Sequence, residues 1–107
     1  MKNTEFTFLL KTLRANAGLT LRALGEKIGY SPSYLVDLEQ GNREPNEKIA
    51  NALINVYNLD DKQKRILFDA IARSTNSLPY DVINFLRENP NELAKVISTM
   101  EQNSPKR

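Results

Sequence analysis

The chain has no cysteine and no histidine in 107 residues. Without cysteine there is no disulfide, no thiolate metal site and no thiol nucleophile. Without histidine the commonest general base and the commonest metal ligand are both missing. Enzyme and metal-site readings lose most of their chemistry, so the expectation is a protein that is not an enzyme and needs no metal and no cofactor. Long apolar runs are lacking as well. The longest span three residues, and no charged leader precedes an apolar core, so neither a membrane span nor a secretory signal is expected. A cytoplasmic protein follows as the expectation, and a cysteine-free chain suits that reducing compartment. Strong charge of one sign is absent too. The net charge is +2, so any nucleic-acid surface must come from local placement of Lys and Arg and not from a global field.

What is present reads as an ordinary soluble domain. Hydrophobic residues make up 40% and charged residues 26%, which fits neither disorder nor a membrane protein. The length allows one domain with a real core and perhaps a small appendage. No segment alternates with the period of a strand, and apolar residues recur at helical spacing throughout, so the fold class is all-α.

Phe6, Leu9, Leu10 and Leu13 mark a first helix from Thr4 to Ala15, stopped by Gly18. Thr20 caps a second with Leu21, Leu24 and Ile28, ended by Gly29. Ser31 caps a third, Pro32 takes its first position, Tyr30 can staple onto Leu35, and Leu35 and Leu38 face inward as far as Gln40, with Gly41 beyond. Asn46 caps a fourth with Ile49, Leu53, Val56 and Tyr57 inward. Asp60 and Gln63 form a capping box for a fifth, whose Ile66, Leu67, Phe68, Ala70 and Ile71 make an apolar arc broad enough to need cover on two sides. Ser74 to Leu78 is a loop, and Pro79 opens a sixth helix with Val82, Ile83, Phe85 and Leu86. Asn89, Pro90 and Glu92 signal the start of a seventh, which carries the stripe Leu93, Val96, Ile97 and Met100; Glu101 to Arg107 is polar and expected to fray.

The second and third helices, joined by a three-residue turn through Gly29, have the spacing of a helix-turn-helix at about residues 20–40. The bare pattern also occurs in small helical proteins of other kinds. Here it comes with more. The run "GLTLRALGEKIGYSPSYLVDLEQGNREP" from Gly18 to Pro45 resembles the Cro and phage-repressor (Xre-type) helix-turn-helix regulators, with Gly18, Leu24, Gly29, Ser31, Leu35, Leu38, Glu39, Gly41 and Pro45 where that pattern expects them. The resemblance covers roughly residues 4–57; the C-terminal half, including "LPYDVINFLRENPNEL", looks more loosely like extra helices of one branch of such regulators.

The resemblance implies a five-helix repressor-like DNA-binding domain extended by about two C-terminal helices, divided as residues 1–75 and 76–107. It implies a sequence-specific transcriptional regulator, a homodimeric repressor on double-stranded DNA with the 32–40 helix in the major groove. It also implies that Glu39 pairs with Arg14 on the first helix as a structural ion pair. The chain departs from the family in two places, on the third helix and at the start of the second. Members often carry Gln, Arg or Lys where this chain has Pro32 and Ser33 and, one turn on, Val36 and Asp37, so a bidentate Arg on guanine is not available from this helix. Many have Gln where Leu21 stands, at a phosphate-contacting brace.

Opposite Leu35 and Leu38 lies the stripe Ser33, Asp37 and Gln40. Ser33 can bond a base edge, Asp37 can accept from cytosine N4, and Gln40 can bond a phosphate or an adenine. Tyr34 either buries its ring with the hydroxyl at the rim or contacts a base. Positioning charge comes from Arg22, Arg43 and Lys48, with Asn42 in the loop and the helix starts at Thr20 and Asn46 adding free N–H groups. Glu44 and Glu47 oppose them, and Lys11 reads as a solvated residue.

The stripe Leu93, Val96, Ile97 and Met100 has two readings, completion of the monomer core or a dimer or partner interface, within a candidate dimerisation region that spans helices five to seven. The competing function is an antitoxin-like or adaptor protein whose C-terminal helices bind a protein partner.

Overall fold

The computed structural model describes residues 4–103 and holds seven α-helices, with no strand among the described residues. They are α1 (Glu5–Asn16), α2 (Leu21–Ile28), α3 (Pro32–Glu39), α4 (Glu47–Tyr57), α5 (Asp61–Thr75), α6 (Tyr80–Glu88) and α7 (Pro90–Asn103).

Local chemistry sets most of these boundaries. The Thr20, Ser31 and Asn46 side chains accept from the backbone N–H groups of Ala23, Tyr34 and Ile49 and so satisfy first-turn donors of α2, α3 and α4. Asp60 and Gln63 exchange two hydrogen bonds at the start of α5. Thr4 and Thr7 do the same for α1, a capping box built from two hydroxyls. Beyond α3, Gly41 N–H donates to Leu38 and Asn42 N–H to Asp37, which closes the helix with a Schellman turn.

Helices α1 to α5 share one core. Phe6 and Leu10 of α1, Leu24 of α2, Leu35 and Leu38 of α3, Ile49 and Leu53 of α4, and Leu67 and Ile71 of α5 are fully buried. Each such side chain stabilises the fold by about 1.5–3 kcal/mol through burial. α1 packs on α3 and α5, α2 on α3 and α4, and α4 on α5; α6 then packs on α5, and α7 on α6. No residue of α6 or α7 is fully buried. The extension therefore adds length more than core. The radius of gyration is 16.6 Å over extents of 52 × 28 × 20 Å, against about 13 Å for a compact domain of this size.

The C-terminal half departs from expectation in several places. α5 runs on through Ser74 to Thr75, because both hydroxyls fold back onto the Ile71 carbonyl and are satisfied within the helix. Pro79 is the residue before α6 and not its first, with the chain extended at φ −58° and ψ 141°. Asn89 does not cap α7 with its side chain: its amide donates to Phe85 O at 2.8 Å, and Glu92 pairs with Lys95 at 3.3 Å instead of reaching back. The polar segment from Glu101 stays helical to Asn103; residues 104–107 of that segment lie outside the described residues. Ile66, expected under cover, is 50% exposed, although α1, α4 and α6 all pack on α5 and cover the rest of its arc.

Candidate nucleic-acid interface

The crossing of α2 and α3 is set by how closely the chain can fold over itself. Gly29 takes φ +78°, in the left-handed region, and turns the chain. The N–H groups of Gly29 and Tyr30 both donate to the carbonyl of Gly25, at 2.8 and 3.1 Å. This brings the Tyr30 carbonyl oxygen to within 2.4 Å of where a Cβ on Gly25 would sit, so no larger residue fits there without movement. Leu24 from one helix and Leu35 and Leu38 from the other then seal the angle between them.

A charged clamp ties this unit to α1. Arg14 Nε donates to Glu39 Oε2 at 2.7 Å and Nη2 to Oε1 at 3.1 Å, while Nη1 donates to the Leu19 carbonyl at 3.0 Å. The Glu39 carboxylate is almost wholly buried, its side chain 7% exposed. The hydrogen bond to Glu39 holds the Arg14 guanidinium above its ordinary pKa, against the opposing effect of its own burial. Tyr57 of α4 borders the pair. Burial pushes its hydroxyl pKa up, and the nearby Glu39 charge adds to the shift. That hydroxyl is buried without a hydrogen-bond partner, as is that of Tyr30.

With α3 locked from behind, its outer face stands clear. Ser33 and Gln40 are exposed and Asp37 half-buried along one stripe. Tyr34 is half-buried and stacks on Tyr30, ring centroids 4.9 Å apart and 19° from parallel. Arg43 lies over the Tyr34 ring, its guanidinium carbon 5.0 Å from the ring centre. Burial raises the Tyr34 hydroxyl pKa, with Tyr30 adding to the shift and Arg43 drawing it back. The aromatic pair thus positions a cation beside the end of α3. Asn42 Nδ2 reaches Gln40 Oε1 at 3.4 Å, a long bond that links loop to helix.

Arg22 and Lys48 are exposed in the first turns of α2 and α4. Neither makes an ion pair among the described residues, and Lys11 is exposed on α1. The two acids near the loop differ in their surroundings. Glu44 is exposed, but Glu47 is half-buried and accepts from Asn84 Nδ2 of α6 at 2.7 Å. Asn84 has no sequence signal that would single it out, since its partner lies 37 residues away. Gly25 is equally silent, because the contact that matters there is with the backbone carbonyl of Tyr30.

Leu93, Val96, Ile97 and Met100 all remain exposed on α7, so the stripe does not complete the monomer core. Among the described residues no group of acids has the arrangement of a metal site, and no helix is long and apolar enough to cross a membrane.

Set against known families, residues 5–66 match the model of the helix-turn-helix domain, which takes in α1 to α4 and the start of α5. Comparison with curated proteins and with solved structures gives no match.

Proposed function

This chain belongs to the helix-turn-helix domain family, and on that premise we propose that it is a sequence-specific DNA-binding transcriptional regulator of the Cro and phage-repressor type. In this reading it is a homodimeric repressor that sets α3 into the major groove. The observation that carries the proposal is the division of α3 into two faces. One is fixed by Leu35, Leu38 and the Arg14–Glu39 clamp, and the other offers Ser33, Asp37 and Gln40 to a partner.

Affinity and specificity come from different residues. Arg22, Arg43 and Lys48 neutralise phosphates and position the domain, as do the free N–H groups at the starts of α2 and α4. Arg43 is the best prepared of these, since Tyr34 already holds its guanidinium. Asn84 draws the Glu47 carboxylate onto α6, which lessens its repulsion of a nearby phosphate. No arginine stands on the outer face of α3 to read guanine, so specificity leans on smaller polar contacts, on half-site spacing in a dimer and on DNA shape. Binding is then modest and steeply dependent on salt.

The open apolar face of α7 keeps a second reading in play, in which an antitoxin-like or adaptor protein uses its C-terminal helices to grip a different protein. Selection of bound sites from a random DNA pool, followed by sedimentation with and without the selected site, separates the two. Enrichment of a two-fold related site bound by two chains supports the regulator; no enriched site, with a chain that stays monomeric, favours the adaptor.

A further inference from the structure

Besides Leu78 and Phe85, two apolar faces stand open among the described residues. One is the stripe of α7, where Leu93, Val96 and Ile97 are between 38% and 46% exposed. The other is a groove between α1 and α5 lined by Phe8, Leu9, Ile66 and Ala70, with Glu5 and Thr12 as its polar members. Phe8 is 74% exposed, which is far from the ordinary state of a phenylalanine on a well-packed helix. A small residue between two large ones gives the groove the shape that receives a ridge of side chains from another helix.

We propose that a second copy of this chain covers both faces, each copy laying its α7 along the α1/α5 groove of the other. The inference rests on the homodimer reading given above and names its interface. Area favours this pairing. Seating α7 in the groove covers Phe8 and Ile66 of each copy as well as the α7 stripe, so it closes more apolar surface than pairing α7 with itself.

Charge favours it as well. Lys62 stands one turn before Ile66 on α5 and Lys11 one turn after Phe8 on α1, both exposed and neither in an ion pair among the described residues. On α7, Glu101 and Glu92 flank the apolar stripe, Glu92 already paired with Lys95, while Glu5 at the groove is paired with Arg73, which leaves Lys11, Lys62 and Glu101 to meet across the contact. In a two-fold arrangement each contact of α7 with the groove is made twice.

The absence of cysteine makes the test direct. Phe8→Cys and Ile97→Cys variants, one carrying a size tag, are mixed, allowed to exchange and oxidised mildly, with sedimentation of the unaltered chain run beside them. Both positions are substantially exposed, so the fold tolerates the changes. The expected result is a dimer in sedimentation and a mixed cross-link between Cys at position 8 and Cys at position 97, with little self-linking of either variant. A dimer in which Ile97→Cys links to itself and the mixed product is missing overturns the proposal while the homodimer stands. A monomer without cross-links overturns both. As a second reading, Phe8→Asp is expected to raise the dimer dissociation constant at least tenfold with an unchanged helical signal; an unchanged constant contradicts the groove.

Discussion

Arg14 and Glu39 are 25 residues apart in sequence and joined by a forked pair of hydrogen bonds, through which α1 grips the end of α3. A buried pair of this kind does not make the fold more stable than a well-packed apolar pair would, but it makes each partner costly to remove alone. Glu39→Ala leaves the Arg14 guanidinium facing a dry site, and the loss is expected to reach about 3 kcal/mol. Arg14→Met strands Glu39 and the Leu19 carbonyl and costs a similar amount. The double variant Arg14→Met, Glu39→Leu is expected to lose less than the two single losses added. Urea unfolding of the four proteins measures the cycle; strict additivity would mean that the pair is not coupled.

Gly25 is a steric requirement of the turn and not a flexible joint. Gly25→Ala drives a methyl into the Tyr30 carbonyl, 2.4 Å from the added carbon. The backbone has to shift, at a cost of about 1–3 kcal/mol. Gly29→Ala meets open space and costs about 1–2 kcal/mol through its left-handed backbone alone. The two differ in what they do to α3: only the first is expected to alter its crossing with α2, seen as chemical-shift changes spread along both helices. Changes confined to the substituted residue would contradict the close approach.

These two positions also show where the sequence was legible. Caps and glycines at Thr20, Gly29, Ser31 and Asn46 are local signals, read from a few neighbouring residues, and the helices they bound stand where the spacing puts them. The Arg14–Glu39 contact was legible through the family resemblance, not through spacing. Gly25 was not legible, because its neighbour is a main-chain oxygen that any residue at position 30 would supply. Past residue 75 the local signals place the starts of α6 and α7 to within a residue but miss the hydrogen bonds made there. Asn89 looks like a cap for α7, yet its amide finds the Phe85 carbonyl first. Ile66 carries the periodicity of a core residue but faces a groove that its own chain does not fill. Helical spacing tells which residues share a face and not what covers that face.

Tyr57 holds a buried hydroxyl with no hydrogen-bond partner beside the Arg14–Glu39 pair. Tyr57→Phe removes that group at no cost in contacts and is expected to be neutral or to stabilise the fold by up to about 1 kcal/mol. The pH dependence has a definite sign. Burial raises the Tyr57 pKa, so the folded state holds the proton more tightly than the unfolded one. Stability is fully present below the ordinary tyrosine range and falls as pH rises through and beyond it. Tyr57→Phe is expected to flatten part of this alkaline limb in unfolding curves taken between neutral pH and pH 11. An identical limb in both proteins would show that Tyr57 ionises as freely folded as unfolded.

Arg43 is held over Tyr34 beside the outer face of α3. If it contacts phosphate, Arg43→Ala weakens binding to all DNA sequences alike and lowers the slope of log affinity against log salt by about one. A titration series at several salt concentrations checks both. Tyr34→Leu, which removes the ring beneath the guanidinium, is expected to weaken binding with a smaller change in slope, because the charge remains while its placement is lost.

Asp37 offers the most direct test, because an acid in the middle of a DNA-reading helix can only help by accepting from a base. Site selection from a random pool is repeated with Asp37→Ala beside the unaltered chain. A changed base preference is expected at one position of each half-site, with the rest of the site and the spacing retained. The same site bound more tightly across every sequence would mean that Asp37 merely repels phosphate, and would contradict the placement of the outer face of α3 against the bases.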